Sequence, residues 1–175
     1  NYSKYSPVPG YLDLRQAISA KLKRENGLEY GPNEIIVGTG GKQGVCNTFM
    51  ALVNPGDEVI IPAPYWVSYP QMAKLAGGTP VIIRAELDQN FKITPEQLES
   101  AITPKTKLLV ICSPSNPTGS VYTQDELNAL AKVILKHEDL YVLSDEIYEN
   151  INYVGFTASI AKAPGMRERT IICNG

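Results

Sequence analysis

The chain is poor in the residues from which metal centres and disulfide frameworks are built. Its 175 residues include three cysteines and a single histidine. Cys46, Cys112 and Cys173 lie far apart, each within an apolar stretch, and no Cys-x-x-Cys pair occurs. They read as small buried hydrophobes in a reduced compartment, so a cytoplasmic location is expected. With His137 as the sole histidine, a zinc site has too few ligands, and no metal is expected. Long apolar runs are also missing. Stretches such as Leu108 to Cys112 are strand-sized and far too short to span a bilayer. Nor does one sign of charge dominate: 16 basic and 18 acidic residues are interspersed, for a net charge of −2. That balance argues against a nucleic-acid or anionic-membrane surface. There is no internal repeat, low-complexity tract or linker. What is present, 43% hydrophobic and 19% charged residues, suits one globular domain with a core of its own.

Apolar spacing and punctuation set the order of elements. Leu14, Ile18 and Leu22 recur at helical period over Leu12 to Asn26, and Gly27 suits a left-handed cap. Glu34 to Val37 reads as a short strand leading into Gly38-Thr39-Gly40-Gly41, followed by a helix from Lys42 to Val53. A strand is expected at Glu58–Ile61, a helix at Ser68–Ala76 and a strand at Pro80–Arg84. Thr94-Pro95-Glu96-Gln97 and Thr123-Gln124-Asp125-Glu126 are capping boxes, opening helices to about Ile102 and His137. Lys107–Cys112, Leu140–Ser144 and Thr170–Cys173 complete the strands. Strand and helix alternate with short connections. This is the pattern of a three-layer α/β/α domain with a mainly parallel sheet. In such sheets ligands bind beyond the carboxyl ends of the strands.

Four loops lie at those ends, and each admits a functional and a plain structural reading. Gly38 to Gly44 joins a strand to a helix start, where free N–H groups and a close-approaching backbone suit a phosphate. It fits neither the Walker spacing nor Gly-x-Gly-x-x-Gly, and a tight turn explains it equally well. Trp66, the one tryptophan, follows Pro62-Ala63-Pro64-Tyr65; it could stack on a planar ring, although a core or interface role is the default. Two prolines hold Asn116 within Ser113 to Gly119, where its amide could donate to an oxyanion; a simple turn accounts for the same residues. Asp145 directly follows an apolar strand and should be partly buried, which demands a cationic or donor partner. Tyr148 falls near it if the chain turns helically. A solvated acidic loop explains Glu146 well and Asp145 badly.

Taken together, these stretches resemble the class I aminotransferases of pyridoxal-phosphate (PLP) fold type I, above all the bacterial aspartate aminotransferase group. The resemblance begins with Tyr5-Ser6-Pro7-Val8-Pro9-Gly10-Tyr11-Leu12-Asp13-Leu14-Arg15 and continues through Gly40-Gly41-Lys42-Gln43, Asn54-Pro55-Gly56-Asp57-Glu58-Val59 and Pro64-Tyr65-Trp66. It closes with Ser115-Asn116-Pro117-Thr118-Gly119 and Ser144-Asp145-Glu146-Ile147-Tyr148. The resemblance implies that Asp145 pairs with the cofactor's protonated ring nitrogen. Asn116 and Tyr148 would hold the ring's 3′ oxygen, Trp66 would stack on the ring, and Gly40, Gly41 and Lys42 would hold the phosphate. Tyr5 would reach the phosphate of a neighbouring subunit, implying a homodimer. Lys42, with Trp66 and Asn116, would also meet the substrate, and a lysine there suggests aspartate or glutamate. The implied reaction is a ping-pong exchange of an amino group between an amino acid and a 2-oxo acid.

The family's Schiff-base lysine is expected in a Ser-x-Ser-Lys stretch a few residues after the last strand, which places it beyond Gly175. No such stretch occurs in residues 1–175, so no catalytic residue is expected among them. They therefore read as part of the large PLP-binding domain, without that lysine or the small domain, and as unable to transaminate alone. Two alternatives share most of these residues: a PLP-dependent lyase of the same fold, and an aminotransferase-like sensor domain of a transcription regulator.

Overall fold

A computed structural model describes residues 5–175. Five parallel strands form one sheet in the order β2-β1-β3-β4-β5: β1 Glu58–Ala63, β2 Thr79–Arg84, β3 Thr106–Cys112, β4 Tyr141–Asp145 and β5 Thr170–Cys173. The helices are α1 Leu12–Lys21, α2 Gly41–Leu52, α3 Ser68–Leu75, α4 Pro95–Ala101 and α5 Gln124–Ile134. The period-2 alternation of each strand sorts its side chains onto two faces. Val59, Ile61, Leu108, Val110 and Leu143 pack with Val45 and Phe49 of α2 and Tyr69 and Met72 of α3. Ile60, Leu109, Ile111 and Val142 pack on the other face with Leu98 of α4 and Leu127, Leu130 and Ile134 of α5. Both faces are therefore dry, which is why the strands are apolar nearly throughout rather than alternating.

Both capping boxes form as the sequence requires. The Thr94 and Thr123 hydroxyls accept from the backbone N–H of Gln97 and Glu126, and those side chains accept in return from the threonine N–H groups. The helix from Leu12 changes pitch, with Leu22–Asn26 forming a π-helical turn that ends at Gly27, φ +64°.

One expected strand does not join the sheet. Pro32–Glu34 is a short 3-10 turn, and the extended residues after it have no strand partner among the described residues. The Val37 N–H instead donates to the carbonyl of Pro9. A β-branched run forms a strand only when a neighbouring backbone completes its ladder. The consequence for the site is small, because the glycine turn still reaches the carboxyl edge through α2.

The chain reverses direction across the sheet between β1 and β3: β2 lies to one side of β1, and β3 to β5 lie to the other. That is the switch point at which the loops after adjacent strands diverge and leave a crevice. Trp66 lies in the loop after β1 and Asn116 in the loop after β3.

Phe49 is fully buried between α2 and the sheet. Phe49→Ala is expected to lower the unfolding free energy by about 3–5 kcal/mol in urea denaturation.

Candidate active site

The glycine turn is shaped by backbone that only glycine adopts readily. Gly40 caps α2 with φ +112° and ψ 160°, a region closed to residues with a Cβ. Gln43 secures the turn, its side-chain oxygen accepting from the Thr39 backbone N–H at 2.6 Å and from its hydroxyl at 3.1 Å. The first turn of α2 then lies directly against the sheet edge. A Cβ on Gly44 would stand 3.2 Å from Cys173 Sγ, and one on Gly41 3.4 Å from Ile147 Cδ1. A glycine inside a helix costs about 1 kcal/mol relative to alanine. Here it allows the helix start to approach the end of β5.

An open cavity of about 170 Å³ lies at this edge, lined by Gly41, Lys42, Val45, Trp66, Tyr69, Asn116, Asp145, Ile147 and Tyr148. The indole, the amide, the carboxylate and the phenol, from the chain segments after β1, β3 and β4, therefore face one space. Gly40 directly precedes the lining residues. Tyr5 does not line the cavity, and its side chain is fully exposed.

Asp145 is the end residue of β4 and is 5% exposed. Its Oδ2 accepts from the Tyr69 hydroxyl at 2.6 Å and its Oδ1 from the Ile147 N–H at 3.3 Å. No ion pair reaches it among the described residues. Burial pushes its carboxyl above the ordinary range, and the two donors offset this only in part. Cys112 on β3 and Cys173 on β5 hold the same register as Asp145, one on each side. Burial raises both thiols to about 11, so neither adds charge. Asp145 is thus a buried carboxylate facing a cavity, flanked by neutral groups and lacking a cation.

The other polar groups are mutually placed. Asn116 Nδ2 donates to Tyr148 Oη at 3.2 Å. Trp66 meets Tyr69 edge-on, with ring centroids 5.3 Å apart, and Lys42 Nζ stands 5.1 Å from the indole centroid. Trp66 is half-buried and also packs against the α2–α3 core, so its core and cavity roles coexist.

The segment after β5 reaches the same edge. Gly175 is exposed, its N–H donates to Asn174 Oδ1 at 2.8 Å, and a Cβ on it would stand 3.3 Å from Cδ1 of the cavity residue Ile147. Lys42 is the one lysine among the cavity's lining residues, and it belongs to the glycine turn rather than to the segment after β5 where the Schiff-base lysine is expected.

Tyr69 was not visible as a site residue in the sequence, where it reads as one apolar position of a helix. Its distance from Trp66 was the available signal: three residues on, at the first turn of α3, the two rings fall on one face. Glu146 departs from the solvated-loop reading. It is 4% exposed, accepting from the hydroxyls of Ser159 at 2.6 Å and Ser144 at 2.8 Å, and burial raises its carboxyl. The alternation of β4 simply continues, placing Asp145 toward the α2–α3 face and Glu146 behind it.

The model of the family described as aminotransferase class I and II matches residues 1–175. The chain belongs to the class I and II aminotransferases. It is 53% identical over 175 residues to the aspartate/prephenate aminotransferase of Cereibacter sphaeroides, covering 99% of this chain and 44% of that protein. To the aspartate aminotransferase of Bacillus subtilis it is 49% identical, with 99% and 44% covered. Among solved structures, the aspartate aminotransferase of Thermus thermophilus with maleate superimposes with a TM-score of 0.94 at 46% identity, over 98% of this chain and 44% of that one. That of Rhizobium meliloti gives 0.96 at 44% identity, with 98% and 44% covered. The chain thus spans less than half the length of these aminotransferases, and its parallel α/β sheet is that of their large domain.

Asp145 fixes a pH dependence. Its proton is held more tightly in the folded than in the unfolded chain, so stability falls as pH rises from about 4 through the raised folded value. Asp145→Asn is expected to stabilise the ligand-free chain at pH 7–8 by roughly 1–3 kcal/mol. It should also flatten part of that decline in thermal melts, Glu146 retaining the rest.

Proposed function

We propose that this chain forms the PLP site of a transaminase that moves an amino group between an acidic amino acid, aspartate or glutamate, and a 2-oxo acid. The observation carrying this reading is the buried, cation-less carboxylate of Asp145 opening into the same cavity as Trp66, Asn116 and Tyr148. A protonated pyridine nitrogen supplies the missing charge, and the site offers a matching group for each remaining part of the ring.

Bound PLP supplies an electron-accepting ring that stabilises negative charge developing at the Cα of an amino acid. Asp145 would keep the proton on the ring nitrogen, because a buried carboxylate gains most when its partner stays cationic. Asn116 and Tyr148 would hold the ring's 3′ oxygen by hydrogen bonds. Trp66 would cover one ring face and exclude water. The first N–H groups of α2, at Gly41 and Lys42, would hold the phosphate at the positive end of the helix, with Gly40 leaving room. Tyr69 would orient Asp145 through its hydroxyl. Lys42, the cation lining the cavity, supports the choice of acidic substrates by facing their distal carboxylate. The Schiff-base lysine would follow Gly175, and the approach of Gly175 to Ile147 at the cavity edge supports that placement.

The proposal extends to a homodimer in which Tyr5 reaches the phosphate of a neighbouring subunit. The exposed side chains of Tyr5, Val8, Leu12 and Leu14 support a covered N-terminal surface. A cytoplasmic location follows from the reduced cysteines; among the described residues no helix is long and apolar enough to cross a membrane. A lyase of the same fold remains a weaker reading, since Lys42 favours a second carboxylate on the substrate.

Trp66, as the sole tryptophan, is a direct reporter. Titration with PLP is expected to quench its fluorescence saturably, inorganic phosphate to compete, and Asp145→Ala to weaken binding at least about tenfold, as for an unpaired buried charge. Residues 1–175 with PLP and aspartate are expected to give no oxaloacetate. Absence of quenching would overturn the cofactor reading, and turnover by residues 1–175 would overturn the need for a lysine beyond Gly175.

A further inference from the structure

Behind the cavity lies a second polar cluster that the cofactor reading does not use. After Asp145 the chain makes a turn in which Ile147 and Tyr148 line the cavity, whereas Glu146 and Glu149 line a crevice on its far side with Asn26, Ser159 and Lys162. The turn is closed by the Glu149 N–H donating to the Glu146 carbonyl at 3.0 Å and the Ile151 N–H to the Tyr148 carbonyl at 2.8 Å. Neither bond fixes how the turn sits against the rest of the molecule.

The Glu146 N–H ties the start of the turn to the Cys173 carbonyl at 2.8 Å, and Glu149 ties its far side to the end of the N-terminal helix. Lys21 Nζ donates to its Oε1 and Asn26 Nδ2 to its Oε2, across more than 120 residues of chain. Lys21 also donates to Asn26 Oδ1 at 2.9 Å, closing a triangle. The side chain of Glu149 is 10% exposed and that of Lys21 26%, and Asn26 is buried. Asn26 reaches this position because the helix widens into a π turn over Leu22–Asn26, stopped by Gly27 and by the Leu28 N–H donating to the Leu22 carbonyl. Such turns displace a side chain from the regular helical stripe and are frequent near functional sites. Burial alone would raise the Glu149 carboxyl; Lys21, Asn26 and Asn174 outweigh it and hold it below the ordinary range.

We propose that Lys21, Asn26 and Glu149 are positioning residues for Tyr148, clasping the turn from behind so that the phenol stays beside the Asn116 amide. The consequence for cofactor binding rests on the PLP reading above; the clasp itself does not. Replacing Glu149 leaves Lys21 to the half-exposed Glu25, 3.8 Å away on its own helix, and the turn is then free to adopt a second setting.

The test has two arms. In ligand-free protein labelled with 13Cζ-tyrosine, the Tyr148 resonance, assigned through Tyr148→Phe, is expected to be single and narrow. In Glu149→Gln it is expected to split or broaden while those of Tyr30 and Tyr122 stay unchanged. Should that variant not fold, Asn26→Ser removes a smaller part of the same cluster. In the second arm, Glu149→Gln is expected to weaken PLP about three- to tenfold in the wild-type background and to add nothing in Tyr148→Phe, the non-additivity of residues acting through one another. An unchanged Tyr148 resonance, or fully additive losses of affinity, overturns the clasp. If the wild-type protein fails to bind PLP, the cofactor reading falls and the resonance still decides the clasp.

Discussion

The structure around the cavity is organised by one electrostatic demand: a carboxylate placed at the end of a buried strand without a counter-charge. Desolvation penalises Asp145 in its charged form, and a tyrosine hydroxyl and one backbone N–H compensate only partly. The residues around it keep the demand unmet. The thiols on either side remain neutral, Tyr69 donates without carrying charge, and the start of α2 packs closely against Ile147 and Cys173. A site arranged in this way selects a ligand that brings its own positive charge to a fixed point. The other cavity groups then decide the shape and polarity of what surrounds that charge.

This arrangement depends on the sheet more than on the loops. Parallel strands place their carboxyl ends along one edge, and the reversal of strand order between β1 and β3 separates the loops of Trp66 and Asn116 into a crevice. Asp145 enters the crevice because β4 continues its alternation to its last residue. Glu146, one step further, faces the opposite way and is satisfied by two serine hydroxyls. One strand end thus supplies a carboxylate that opens into the cavity and, just beyond it, a second that is held by two serine hydroxyls on the opposite side.

The order of elements was legible because caps and hydrophobic period act locally. Thr94 and Thr123 mark helix starts with bonds spanning three residues, and the apolar strands announce their own burial. What the sequence conceals is pairing at a distance. Residues 35–37 carry strand composition, yet their backbone needs a neighbour that composition cannot supply. Tyr69 reads as a helical core residue until α3 is seen to begin beside Asp145. Glu149 and Lys21 are 128 positions apart and have no signature that links them. The solvated reading of Glu146 failed for the opposite reason, since the alternation of β4 already contained the answer.

The central claim is that Asp145 awaits a cation in this cavity. Following its carboxyl carbon by 13C NMR across pH, with and without PLP, measures that directly. The account predicts a titration above the ordinary aspartate range in the ligand-free protein and one displaced well below it once PLP is bound. A carboxyl that titrates normally in the free protein, or that PLP leaves unmoved, would contradict it.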